Sequence, residues 1–133
     1  MTEIAELLDL DASNIEAMRR LPVLSLERNE IFVSMICPEH GCVLDWRDDI
    51  GQIYDSLESC LTPEQYALLP ERTTISAPTL GKKVLELSRY LEVNGNALRL
   101  IESLGDSYYL IIVPIALIAK FDDIAKKRAV DAA

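Results

Sequence analysis

The residues best suited to chemistry lie in one short segment, Cys37-Pro-Glu-His-Gly-Cys42, which contains the only histidine of the chain. Two thiols and an imidazole at this spacing could bind zinc, with Cys60 or Asp45 as a more distant fourth ligand. The same Cys–His pair could instead serve as the nucleophile and base of a thiol enzyme. No glycine-rich phosphate loop or GxSxG nucleophile elbow accompanies it.

A structural explanation accounts for the same residues more simply. Pro38 and Gly41 are turn residues, and a β-hairpin through this segment would make the two cysteines an apolar cross-strand pair. We therefore expect no metal, no cofactor and no catalytic residue. Cys37, His40 and Cys42 remain the alternative site.

Carboxylates are concentrated just after this segment, where a helix is predicted from Arg47 to Leu61. Acids near a helix N-terminus are stabilised by the helix dipole, which explains them better than a hard-cation site does. The helix is expected to bury Ile50, Ile53 and Leu57. Four acids are then left toward solvent as candidate partner-binding residues: Asp48, Asp49, Asp55 and Glu58.

The charge of the chain is divided unevenly along its length. Residues 1–66 contain 14 Asp and Glu against 4 Arg, a net of −10, whereas residues 67–133 contain 8 acids against 9 bases, a net of +1; together they make −9. Nucleic acid is not expected as a ligand, because binding phosphates needs a basic surface. The acidic half would attract a basic protein; the alternative explanation of its charge is solubility alone.

Length and composition are those of one folded domain. The 133 residues are 50% hydrophobic and include three cysteines, with no basic and apolar export signal at the start. The longest apolar run, Tyr108–Ala119, is shorter than the roughly 20 residues of a membrane helix and contains Pro114. We therefore expect a cytoplasmic protein with free thiols that does not enter a membrane.

The clearest strand signal is a hairpin from Leu98 to Val113 around Gly105-Asp106. Pairing Leu104 with Ser107 would place these residues on one face: Leu98, Leu100, Tyr109, Ile111 and Val113. A second hairpin is predicted from Ile31–Cys37 and Cys42–Trp46, with Cys37 opposite Cys42.

Helices are predicted before, between and after these hairpins along the sequence. They span Thr2–Leu10, a segment from the capping box Ser13–Glu16 to Arg20, the segment Arg47–Leu61, a short helix from Thr62 to Leu69, and the segments Thr79–Val93 and Pro114–Val130. Residues 73–76 could add a short edge strand. The predicted fold is α+β: an antiparallel sheet of two hairpins, each followed by a helix, with helices mainly on one face.

Two segments resemble a small bacterial domain family of unknown function: Leu44-Asp-Trp46 leading into an acidic helix, and the segment from Gly105 to Pro114. This resemblance implies an α+β fold and a bacterial cytosolic setting. The order of elements is also similar to that of the small acidic chaperones of type III secretion effectors, which act as dimers. A third strand of those chaperones is replaced here by a long helix.

These observations favour a non-enzymatic binding protein for a basic partner, such as a toxin antagonist or an effector chaperone. Two alternatives stay open. One is a metal or thiol enzyme at Cys37, His40 and Cys42, and the other is a structural subunit of a larger assembly. A homodimer is compatible with each of them.

Overall fold

The computed structural model describes residues 2–22, 26–37, 39–102 and 107–132. Within these ranges the chain forms a three-stranded antiparallel sheet and seven α-helices. The strands are β1 (Gly41–Asp45), β2 (Asn96–Glu102) and β3 (Ser107–Pro114). The helices are α1 (Thr2–Leu7), α2 (Ala12–Arg19), α3 (Leu26–Ile36), α4 (Ile50–Cys60), α5 (Pro63–Tyr66), α6 (Leu80–Leu91) and α7 (Ile118–Ala132). The predicted α+β class is confirmed.

Strand β3 lies in the centre of the sheet, between β1 and β2. Cys42 of β1 and Leu100 of β2 both lie opposite Leu110 of β3. Gly41 is required where β1 begins, because a Cβ at this position would overlap the Leu110 carbonyl oxygen.

The sequence predicted helices mainly on one face of the sheet. This is wrong, because helices cover both faces. The first core joins Cys42, Leu44, Leu98 and Leu110 to the buried sides of α4 and α6. The second core joins Ile101, Tyr109, Ile111 and Val113 to residues of α1, α2, α3 and α7, including Ile4, Met18, Phe32 and Phe121. The sheet is therefore the middle layer of three.

The predicted first strand, Ile31–Cys37, is wrong, since residues 31–36 are the end of helix α3. Phe32 and Ile36 lie one helical turn apart and are both fully buried in the second core. The sheet consequently contains one hairpin, β2–β3, and its third strand, β1, pairs with β3.

The register predicted for that hairpin is also wrong, by one residue. Leu98 lies opposite Ile112, not opposite Val113. Leu98 and Leu110 thus face the first core, whereas Tyr109 and Ile111 face the second. The predicted turn at Gly105-Asp106 lies outside the described residues.

The helices after β1 agree well with prediction. Asp49 and Thr62 each form a capping box with the glutamine three residues later. Thr79 caps α6, and Gly95 ends the following 3-10 helix with φ of 87°.

Two local predictions need correction. Helix α2 is capped by Asp11, whose carboxylate accepts hydrogen bonds from the backbone and hydroxyl of Ser13, instead of beginning with a Ser13–Glu16 box. The segment proposed as an edge strand, residues 73–76, contains the end of a 3-10 helix, Arg72–Thr74.

Candidate partner-binding surface

The three residues of the alternative metal or thiol site do not form one group of ligands in the described part of the chain. Cys37 follows α3 and packs against the second core, whereas Cys42 is buried in the first core. His40 lies in the turn between them, where its carbonyl oxygen accepts a hydrogen bond from the Ile112 N–H at 2.8 Å. The expected cross-strand pairing of the two cysteines is wrong, because Cys42 lies opposite Leu110. Among the described residues no group of three His, Cys, Asp or Glu side chains could hold a metal ion.

The surroundings of these thiols suppress their ionisation. Burial raises the pKa of Cys37. The pKa of Cys42 is raised most by its hydrogen bond with the Cys60 thiol, and burial raises it further. Because the thiolate is the form that attacks electrophiles and binds metals, both side chains are poorly suited to either role at neutral pH.

Helix α4 and its approach hold all four candidate partner-binding carboxylates. Asp49 is the N-cap of the helix and accepts a hydrogen bond from the Gln52 N–H at 2.9 Å. Asp48 is half-buried, and its carboxylate accepts a hydrogen bond from the Asp45 N–H at 2.9 Å. These two acids therefore order the turn between β1 and α4 while remaining at its surface.

The other two carboxylates are exposed along the helix. Asp55 forms an ion pair with Arg72 at 3.3 Å, and the Arg72 guanidinium lies 5.3 Å from the centroid of the Tyr54 ring. Glu58 is exposed one turn beyond Asp55, with no ion pair among the described residues. Glu58 and Asp49 are therefore the less neutralised charges of the set.

A neighbouring surface was not singled out by the sequence. Trp46 is 55% exposed, with the Arg47 guanidinium 5.6 Å from its ring centroid. Val43 on β1 is 40% exposed. Val43 and Asp45 are two residues apart in β1 and therefore share one strand face, and the carboxylate on that face was the available signal of its exposure.

Asp45 connects this apolar surface to the acidic one. It forms an ion pair with Arg47 at 3.3 Å. The pKa of Asp45 is lowered mainly by a hydrogen bond from the Arg47 backbone N–H and, to a smaller extent, by one from the Arg47 guanidinium. Arg47 is thus held by an acid and a ring of its own turn. The candidate partner-binding surface consists of these residues: Val43, Asp45, Trp46, Asp48, Asp49, Asp55 and Glu58.

A separate recess of about 350 Å³ lies on α6, lined by Glu86, Arg89 and Tyr90. Its lining combines one charge of each sign with one phenol ring, and all three residues come from the same helix. This pattern is that of a solvated helix surface and indicates no particular ligand.

Comparisons with protein families, curated proteins and solved structures found no match to this chain. Along the described part of the chain, each helix is too short or too polar to cross a membrane. The geometry of the surface is therefore the basis for assigning a function.

Proposed function

We propose that this protein is a non-enzymatic binding module whose acidic surface on α4 recognises a basic protein, in the manner of an antagonist or a chaperone. Its setting in this proposal is the cytoplasm of a bacterium. Three free thiols suit a reducing compartment, and the resemblance of two segments to a bacterial domain family implies the bacterial origin. Nucleic acid and anionic membrane surfaces are not its ligands in this proposal, because the negative charge of the acidic surface would repel both.

One observation supports the proposal most directly: the exposed side of α4 is charged with one sign only. The helix contains Asp55 and Glu58 and no basic residue, and its N-cap is a third acid, Asp49. A local field of this kind speeds the encounter with a basic protein and discriminates against acidic ones.

The proposal predicts how a partner's association kinetics respond to charge removal. The variant Asp48→Asn, Asp49→Asn, Asp55→Asn, Glu58→Gln should associate with a basic protein captured from native lysate roughly tenfold more slowly than the wild type at low salt. Its rate should also depend less on salt, whereas dissociation changes less. Stopped-flow or surface-based kinetics at several salt concentrations measure both quantities.

A control variant separates the α4 field from the net charge. Its four substitutions change the charge equally at exposed acids of α3, the 3-10 helix after α6, β2 and α7: Glu27→Gln, Glu92→Gln, Glu102→Gln and Asp123→Asn. This control should keep most of the wild-type rate. If the α4 variant and the control slow association equally, or neither does, the acidic surface of α4 is not the binding site.

A further inference from the structure

The sheet has two outer edges, and the hydrogen-bond pattern shows which backbone groups point out of them. Ile112 N–H donates to the His40 carbonyl at 2.8 Å, so these directly opposed residues form a hydrogen-bonded pair. Because such pairs alternate along an antiparallel ladder, Cys42 and Leu44 also bond to β3. The N–H and C=O of Val43 therefore point away from the sheet.

At the edge formed by β2, the outward backbone groups of Leu98 are already bonded to neighbouring side chains. The outward N–H of Leu98 donates to the buried Ser88 hydroxyl of α6 at 2.8 Å. The Leu98 carbonyl accepts from the Arg99 guanidinium at 3.0 Å. No further strand can add at Leu98 without breaking these bonds.

At the edge formed by β1, the outward backbone groups of Asp45 are bonded within the chain, whereas those of Val43 bond to no described residue. The Asp45 N–H donates to the Asp48 carboxylate, and the Asp45 carbonyl accepts from the Asp48 N–H, both at 2.9 Å. No hydrogen bond within the described part of the chain reaches the outward N–H or C=O of Val43. These groups belong to a residue that is 40% exposed, so they are available to another strand.

The charges around this edge indicate what kind of strand it would accept. Residues 39–49 contain four carboxylates, Glu39, Asp45, Asp48 and Asp49, against one arginine, which is paired with Asp45. The exposed Val43 and Trp46 side chains offer apolar contact between these charges. An extended segment with alternating basic and apolar residues complements both features.

We propose that β1 binds an extended basic segment of a partner protein as a fourth strand of the sheet, through the N–H and C=O of Val43. This inference rests on the proposed function and names the form of the partner that the acidic surface attracts. A second copy of this chain is a poorer occupant, because it would bring the same carboxylates against one another and each copy has a net charge of −9.

The test uses a capped peptide in which lysine and valine alternate, added to the isotopically labelled full chain. Amide hydrogen exchange of Val43, followed by NMR, reports the bond directly. Without peptide the Val43 amide should exchange fast, whereas the Cys42 and Leu44 amides, bonded to β3, should exchange slowly. Saturating peptide should slow exchange at Val43 at least about tenfold.

A pair of variants separates the backbone bond from the side chain. Val43→Pro removes the outward N–H, a change that an edge strand tolerates, and should weaken peptide binding at least about fivefold. Val43→Thr keeps the N–H and the branched side chain and should bind within roughly twofold of the wild type.

Three results would overturn the strand-addition proposal. They are an absence of peptide binding, binding without protection of the Val43 amide, and protection that rises with protein concentration before any peptide is added, which would identify a second copy as the occupant. The kinetic comparison of the α4 variant with its control is independent of these results. Strand addition at β1 can thus be disproved while partner binding by the acidic surface of α4 is upheld, or the reverse.

Discussion

At the scale of single residues, Gly41 is the position where the backbone leaves no freedom. A Cβ there would overlap the Leu110 carbonyl of the central strand. The chain also has a matched glycine, Gly81 in α6, whose added Cβ would meet no atom within 4 Å. These two sites separate steric demand from the general effect of replacing glycine.

We expect Gly41→Ala to destabilise the protein by about 1–3 kcal/mol, the range for forcing atoms into a filled space. Gly81→Ala should be neutral or stabilise the protein by up to about 1 kcal/mol, because alanine favours a helix. Urea unfolding of both variants measures the difference. Equal stability of the two would show that β1 does not approach β3 this closely.

At the scale of elements, α4 is ordered by its first turn and at the same time exposes the acidic surface. Asp49 accepts from the Gln52 N–H, and the Gln52 side chain accepts from the Asp49 N–H at 2.8 Å. The carboxylate proposed to attract a partner therefore also begins the helix. Its two roles respond differently to asparagine and alanine.

Asp49→Ala should destabilise the fold by about 1 kcal/mol, since alanine cannot accept the capping hydrogen bond. Asp49→Asn should change stability by only a few tenths of that amount, about 0.3 kcal/mol, because asparagine is as good an N-cap. Thermal or urea unfolding checks both. If Asp49→Asn lowered the free energy of unfolding as much as Asp49→Ala does, the charge of Asp49, and not its capping hydrogen bond, would order the turn.

At the scale of the whole molecule, β3 joins the two cores. Leu110 and Ile111 are adjacent, fully buried and point into opposite helical layers. Each layer alone covers one apolar face of a three-stranded sheet, so neither is complete without β3. We therefore expect the layers to unfold together.

Leu110→Ala and Ile111→Ala should each destabilise the protein by about 2–5 kcal/mol, the usual range for truncating a buried aliphatic side chain. In both variants, far-UV circular dichroism and tyrosine fluorescence should report one coincident transition. If Ile111→Ala lost helical signal in a separate, earlier step, the second layer would be an independently unfolding unit.

Much of the chain after β1 could be predicted because its signals are local. The Asp49–Gln52 and Thr62–Gln65 pairs define helix starts within four residues, and Gly95 marks a stop through its positive φ. The buried stripe of α6, which includes Val84, Leu87 and Leu91, follows directly from helical spacing. Such features need no knowledge of distant residues.

Helix α3 could not be predicted in the same way. Residues 31–37 are mostly apolar, and an apolar run fits a strand or a buried helix equally well. The helix forms because Phe32 and Ile36 complete the second core against Tyr109, whose ring centroid is 5.3 Å from that of Phe32. Tyr109 is distant in sequence, so only tertiary packing chose between the two.

The register of β2 against β3 was likewise determined by tertiary packing. A sheet with one wet face fixes register by its polar alternation, but this sheet is buried on both faces, and a shift of one residue leaves the apolar pattern almost unchanged. The amino-acid sequence by itself determined the α+β class, the acidic first half and the starts of α5 and α6. Tertiary structure decided which residues share a face, which separated Cys37 from Cys42 and left the outward backbone of Val43 at an open edge.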